Sequence, residues 1–248
     1  MVADAKSKTA AAARMGEARP ISAQLAGGLT VAFAVEALVS LRHNAAAALR
    51  VEPLVRHVKT GIVIPARAFG KLSDDDVEAI DVETVRFAGG LAADALPLIL
   101  PQSFRTVAGR RGRTALSGAM RASDGLKKRL IVELIDLDRG TPTGRLTEVI
   151  GLLNATCRGV FARLQPGRDA SGPVRDARLH GLTLDGADLP DADGDAAGML
   201  LEFADQVRGQ SPMLVAQGLA DEGYFAVAEV AGFTHVSRRN RIEQAEAA

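Results

Sequence analysis

The 248-residue sequence has a single cysteine, no tryptophan, one tyrosine and no excess of charge of either sign. One thiol, Cys157, leaves no intramolecular disulfide framework and no multi-thiolate zinc site. Its histidines, His43, His57, His180 and His235, stand far apart, with no pair at metal-ligand spacing. The scarcity of aromatic rings removes the stacking platforms that single-stranded nucleic acids use. Basic and acidic side chains balance at 30 each, so no net field draws in nucleic acid or an anionic membrane. What is present, 47% hydrophobic and 24% charged residues, is the composition of a globular domain. A single core at this length buries roughly 70–75% of the unfolded surface, so one large domain is enough.

Residues 1–20 are rich in alanine with scattered lysine and arginine and carry no apolar period, which reads as a tail. The stretch from Ile21 to Leu41 is long enough to span a membrane, but it holds Gly27, Gly28 and Glu36. A central carboxylate costs roughly 2.5–3.5 kcal/mol on insertion scales. No membrane partner is expected, and the location implied is cytoplasmic. Leu25, Leu29, Ala32, Val35, Leu38 and Leu41 recur at helical spacing, which predicts an amphipathic amino-terminal helix within 21–48.

From residue 49 to 237, apolar runs of strand length alternate with segments of helical period. Strands are predicted at Leu49–His57, Gly61–Phe69, Leu96–Phe104, Arg129–Asp136, Gly159–Gln165, Gly181–Asp185, Met213–Leu219 and Phe233–Ser237. Helices are predicted at Asp74–Ala93, Thr106–Ser123, Gly144–Ala155, Ala196–Gly209 and Asp221–Ala231, the first capped by Ser73 with three aspartates in its opening turn. Such alternation favours an α/β fold, a (β/α)8 TIM-type barrel, over an open sheet. No G-x-G-x-x-G follows the first strand, which lowers the dinucleotide-binding alternative. Only Val58-Lys59-Thr60 joins the first two strands, too short for a crossover helix, so they are expected to pair antiparallel. Residues 238–248 read as a carboxy-terminal tail.

A barrel that opens on an antiparallel strand resembles the EAL domain, the cyclic di-GMP phosphodiesterase family. Val51-Glu52-Pro53-Leu54-Val55 is similar to the family's opening F-Q-P-I-V strand, and Leu130-Ile131-Val132-Glu133-Leu134-Ile135-Asp136 to its L-x-I-E-I-T-E strand. Leu182-Thr183-Leu184-Asp185 resembles L-K-I-D, Val215 to Ala220 resembles I-A-E-G-V-E, and Ala231-Gly232-Phe233 resembles the x-G-x before the last strand. The resemblance implies a two-metal site, and this chain departs from it. On that alignment Glu133, Asp136 and Asp185 remain as a remnant of the metal site. Ala66 stands for the Glu of Glu-Ala-Leu, Pro101 for the asparagine, and Arg163 for one of an Asp-Asp pair. Thr183 replaces the catalytic lysine, and Gln217 and Ala220 replace two glutamates.

Two-metal hydrolysis needs a cage of oxygen ligands to hold both ions and acidify the attacking water. One carboxylate does not make that cage, and a fixed cation at Arg163 repels a metal. Glu133 and Arg163, on neighbouring strands, are expected to pair. No catalytic residue, metal or cofactor is expected. Arg105, Arg110, Arg111 and Arg113 follow the third strand on the face where barrel loops build sites, and form a candidate surface for an anion or a protein partner. The Asp191, Asp193 and Asp195 run has calcium-loop spacing but lacks its glycine, so calcium is not expected. The function implied is that of a non-catalytic regulatory or scaffolding protein with a protein partner, a homodimer being left open. A receptor that binds cyclic di-GMP without hydrolysing it is the alternative, and a different barrel enzyme using Glu133, Asp136 or Asp185 a third.

Overall fold

Two tight turns decide how the chain enters the fold. Gly28 at φ 74° and Asn44 at φ 46° take left-handed conformations, one on either side of a twelve-residue strand. In the computed structural model, which describes residues 23–91, 96–123, 125–138, 140–167, 169–190 and 195–239, the segment expected to be a helix is therefore strand. It comprises β1 (Ala23–Gln24), β2 (Leu29–Ser40) and the start of β3 (Ala45–His57). The helical spacing of its leucines misled because β2 is apolar on both faces. Its burial nevertheless alternates with a strand's period of two. Leu29, Val31 and Phe33 face outward under the helices, where Phe33 stacks on Phe87 at 4.5 Å, while Glu36 and Leu38 face inward.

Apart from β4, the remaining strands follow the sequence expectation closely. They are β4 (Val63–Ile64), β5 (Leu98–Ser103), β6 (Leu130–Ile135), β7 (Gly159–Arg163), β8 (Gly181–Asp185), β9 (Leu214–Leu219) and β10 (His235–Arg238). Eight of the ten close a barrel in the order β2-β10-β9-β8-β7-β6-β5-β3, with β3 returning to β2. All neighbours are parallel except β2, which runs antiparallel to both β3 and β10. The inverted first strand is thus β2 rather than the segment at residue 49. The predicted strand at Gly61–Phe69 shrinks to the two residues of β4 and a 3-10 turn at Ala66–Lys71.

Helices cover the outside: α1 (Asp74–Gly90), α2 (Phe104–Ala108), α3 (Arg110–Arg121), α4 (Leu126–Arg129), α5 (Thr143–Asn154), α6 (Ala196–Gln206) and α7 (Gly223–Ala231). Ser73 caps α1 by accepting from the Asp76 amide, and Asp195 caps α6 through the Gly198 amide. Asp191 and Asp193, the rest of the candidate calcium run, lie outside the described residues, as do both predicted tails apart from Arg238 and Arg239 at the start of the second.

Inside the barrel, Leu38, Ala48, Ile99, Ile131, Phe161 and Val215 make a small apolar floor of their own. The Phe161 ring lies where a side chain on residue 181 would stand, and Gly181 leaves that room. Two residues further up each strand, the pleat returns side chains to the same interior. Those side chains are Glu36, Arg50, Glu133, Arg163, Thr183 and Gln217. At the top, β8 and β9 come so close that a Cβ on Gly186 would lie 2.3 Å from the Gly218 carbonyl oxygen. Gly186→Ala is therefore expected to lower stability by about 1–3 kcal/mol through backbone displacement, measured by urea unfolding. An unchanged midpoint would mean that these two strand ends separate freely.

Candidate functional site

The polar layer above the floor is ionic. Glu133 is fully buried and accepts from Thr183 Oγ1 at 2.5 Å, Gln217 Nε2 at 2.6 Å and Arg163 Nη2 at 2.7 Å. Burial by itself raises a carboxyl pKa, but the Arg163 and Arg50 guanidiniums outweigh it and hold Glu133 at about 2. Arg50, 2% exposed, donates from Nη1 to Glu36 at 3.3 Å and from Nη2 to Asp185 at 3.2 Å, and Nη2 also contacts the Glu52 carboxylate. Arg163 Nη1 lies 3.1 Å from Asp185. Burial works against both cations, yet the surrounding carboxylates prevail and keep each guanidinium more firmly protonated than usual. Ser237 Oγ donates to Glu36 at 3.2 Å and accepts from the Gly218 amide, which extends the network to β9 and β10.

Above this layer opens a cavity of about 1130 Å³. It lies over the carboxy-terminal ends of the parallel strands, where barrel sites are built. Glu52, Arg163 and Asp185 form its floor, with Arg67, Asp136, Asp188, Tyr224 and Arg239 around them. Burial pushes Glu52 up to about 7, offset only in part by Arg50 and Arg163. Asp136 adopts φ 57°, and burial raises its pKa. Behind the cavity wall, Asp81 of α1 accepts from the Ser103 amide at 3.1 Å, tying that helix to the end of β5. Burial takes Asp81 to about 7 despite hydrogen bonds from Thr106 and Ser103.

Glu133, Arg163, Thr183, Asp185 and Gln217, picked out from sequence, come together here, and Asp136 and Ala220 line the cavity. Pro101 lies beside Glu133 in register on β5. Ala66 does not hold the place assigned to it. The second strand of the antiparallel pair is β3, and Ala66 sits outside it, in the turn at the cavity edge. The arginine cluster is likewise not a free patch. Arg105 pairs with Asp74 at 3.0 Å and Arg111 with Asp75 at 2.7 Å, while Arg113 donates to the Val107 and Ala108 carbonyls. Those contacts brace α1 against α2 and α3 outside the cavity, and Arg110 is exposed.

Sequence reasoning missed Glu36, Arg50 and Glu52 as site residues. A signal was there in the alternation of Arg50-x-Glu52 within an apolar strand, since charges at spacing two share one face.

A pair of divalent cations does not fit this arrangement. Arg50 and Arg163 stand among the carboxylates, and Pro101 offers no side-chain oxygen. Among the described residues, no group of three or more His, Cys, Asp or Glu side chains is arranged to hold a metal ion. Nor is any described helix long and apolar enough to cross a membrane.

No family model and no curated protein matches the chain. Solved structures do. An EAL domain protein from Listeria monocytogenes superimposes with a TM-score of 0.64 at 12% identity, over 98% of this chain and 96% of that one. The PaMucR phosphodiesterase in complex with cyclic di-GMP gives 0.65 at 14% identity, over 85% of this chain and 94% of that one. The EAL enzyme Bd1971, bound to cAMP and cyclic di-GMP, gives 0.65 at 10% identity over 85% of this chain, which spans 60% of its length. The chain has the EAL-domain fold, a closed (β/α)8 barrel whose first strand runs against the others.

Proposed function

We propose that this EAL-fold barrel is a non-catalytic regulatory protein of the cytoplasm that acts by binding another protein. The observation that carries the reading is the position of Arg50 and Arg163 within the ring of Glu36, Glu52, Glu133 and Asp185. Metal-dependent hydrolysis of a phosphodiester needs those carboxylates as ligands, so that bound water is acidified and the developing charge neutralised. Here each carboxylate already faces a guanidinium, which supplies no coordinated water and leaves no ligand position.

The nucleotide-receptor reading rests on the size of the cavity and on Arg67 and Arg239 at its edge. The lining charge weighs against it. Among the described residues, seven acidic side chains, Glu36, Glu52, Asp136, Asp169, Asp185, Asp188 and Asp221, face four arginines, of which Arg50 and Arg163 are spent in ion pairs. A dianionic nucleotide entering without metal meets a net negative wall. Calorimetric titration with cyclic di-GMP, with and without Mg²⁺ or Mn²⁺, followed by product analysis, tests this. Neither heat nor hydrolysis is expected. Turnover overturns the non-catalytic reading, whereas heat without turnover moves the assignment to the receptor.

A further inference from the structure

We propose that the cavity seats a basic segment of the partner protein. An arginine or lysine side chain enters between Asp136, Asp188 and Asp221, and apolar neighbours in the segment cover the β3–β4 hairpin. The inference rests on the protein-binding reading and adds to it where the partner docks and what chemistry it presents.

Three carboxylates stand on the upper wall of the cavity, each beyond the end of a different strand. Asp136 follows β6, Asp188 ends the 3-10 turn Gly186–Asp188 after β8, and Asp221 lies just past β9. They are separate from the ionic layer below, where Arg50 and Arg163 are already engaged by Glu52, Glu133 and Asp185. Asp136 Oδ2 is buried and accepts no hydrogen bond among the described residues. A buried acceptor without a donor is costly, so this wall gains from a donor brought in from outside.

Arg67 and Arg239 at the edge offset part of the charge, yet the described lining keeps an excess of carboxylates over guanidiniums. The same cavity presents the ring of Tyr224 and the aliphatic side chains of Leu189 and Val227. Carboxylates beside an aromatic face and aliphatic surface suit a guanidinium or ammonium carried on an alkyl stem. At about 1130 Å³ the space exceeds the roughly 300–1,000 Å³ that holds a drug-sized ligand, which leaves room for a short stretch of chain.

The hairpin distinguishes a peptide from a free amine. Val58, Ile62 and Val63 are 46%, 64% and 44% exposed, half of the large hydrophobic side chains so exposed among the described residues. They surround the tip that leads from β3 through β4 into Pro65 and Ala66 at the cavity edge. A small cation leaves them in water, whereas a peptide whose apolar residues flank its basic one covers them. β4 is also the last strand of the sheet, the position at which an extended peptide adds.

The test is fluorescence anisotropy, with the full chain titrated into a labelled, end-blocked peptide of three Arg-Val repeats. A Glu-Val peptide serves as the charge control and spermidine as a competitor. The arginine peptide is expected to bind and the glutamate peptide not. Asp136→Asn combined with Asp188→Asn is expected to weaken binding about tenfold. Asparagine keeps the side-chain shape and tolerates the φ of 57° at residue 136. Asp221→Asn, at an exposed position, serves should that pair fail to fold. Ile62→Ser with Val63→Ser should weaken binding severalfold, and Glu148→Gln, exposed on α5, should leave it unchanged. An arginine peptide that does not bind overturns the proposal, as does binding that survives loss of the aspartates or falls equally with Glu148→Gln. Displacement by spermidine at peptide-like concentration, with no effect of the hairpin variant, overturns the peptide in favour of a small organic amine. Heat or turnover with cyclic di-GMP is the separate result that overturns the protein-binding reading itself.

Discussion

Arg50→Met is expected to destabilise the protein by about 3–5 kcal/mol, the loss that follows when one partner of a buried ion-pair network is removed. Methionine fills much of the aliphatic stem, so little of the effect comes from a cavity. What is lost is the counter-charge to Glu36, Glu52 and Asp185, each of which Arg50 contacts inside a barrel where water does not replace it. The penalty belongs to the stranded carboxylates rather than to any special strength of the pairs. Glu36→Gln and Glu52→Gln, added to Arg50→Met, are therefore expected to restore part of the stability. Urea unfolding of the single and triple variants measures both. A triple variant less stable than the single would show that the loss is one of packing, not of unpaired charge.

Stability is expected to peak between about pH 4 and 5 and to fall on both sides, for two opposite reasons. On the acid side, Glu133 is held at about 2 against its usual 4.5. Its contribution is complete above the unfolded value and disappears as pH falls through the folded one. That amounts to roughly 3 kcal/mol, which protonation of Glu133 removes. On the alkaline side, burial raises Glu52 and Asp81 to about 7, from 4.5 and 3.8. Groups raised in the folded state favour it fully below their unfolded values, and that advantage is lost as pH climbs through about 7. Chemical unfolding across the range reads both limbs. Glu52→Gln and Asp81→Asn should each flatten the alkaline limb and leave the acid limb in place. A wild-type curve that rises steadily from pH 4 to 8 would mean that neither carboxyl is desolvated as its surroundings imply.

The limits of sequence reading lie in β2 and β3. The parallel strands of the barrel were legible because runs such as Leu130-Ile131-Val132 and Leu182-Thr183-Leu184-Asp185 are short, apolar and bounded by polar turns. β2 was not, because a strand apolar on both faces satisfies a helical spacing as well as its own. Misreading it moved the inverted strand by one element and left Glu36 unrecognised as a site residue. The pairing of Glu133 with Arg163 survived that error, since both residues lie on strands whose order did not depend on it.

Local pattern in the sequence therefore determined the strand-helix alternation and the (β/α)8 class. Those features depend on residues within a few positions of one another. The tertiary structure alone decided that Glu36, Arg50, Glu52, Glu133, Arg163 and Asp185 share one interior. These residues come from five strands spread over most of the chain. Only barrel closure through β2, with its particular register against β3 and β10, turns their alternating side chains toward a common centre.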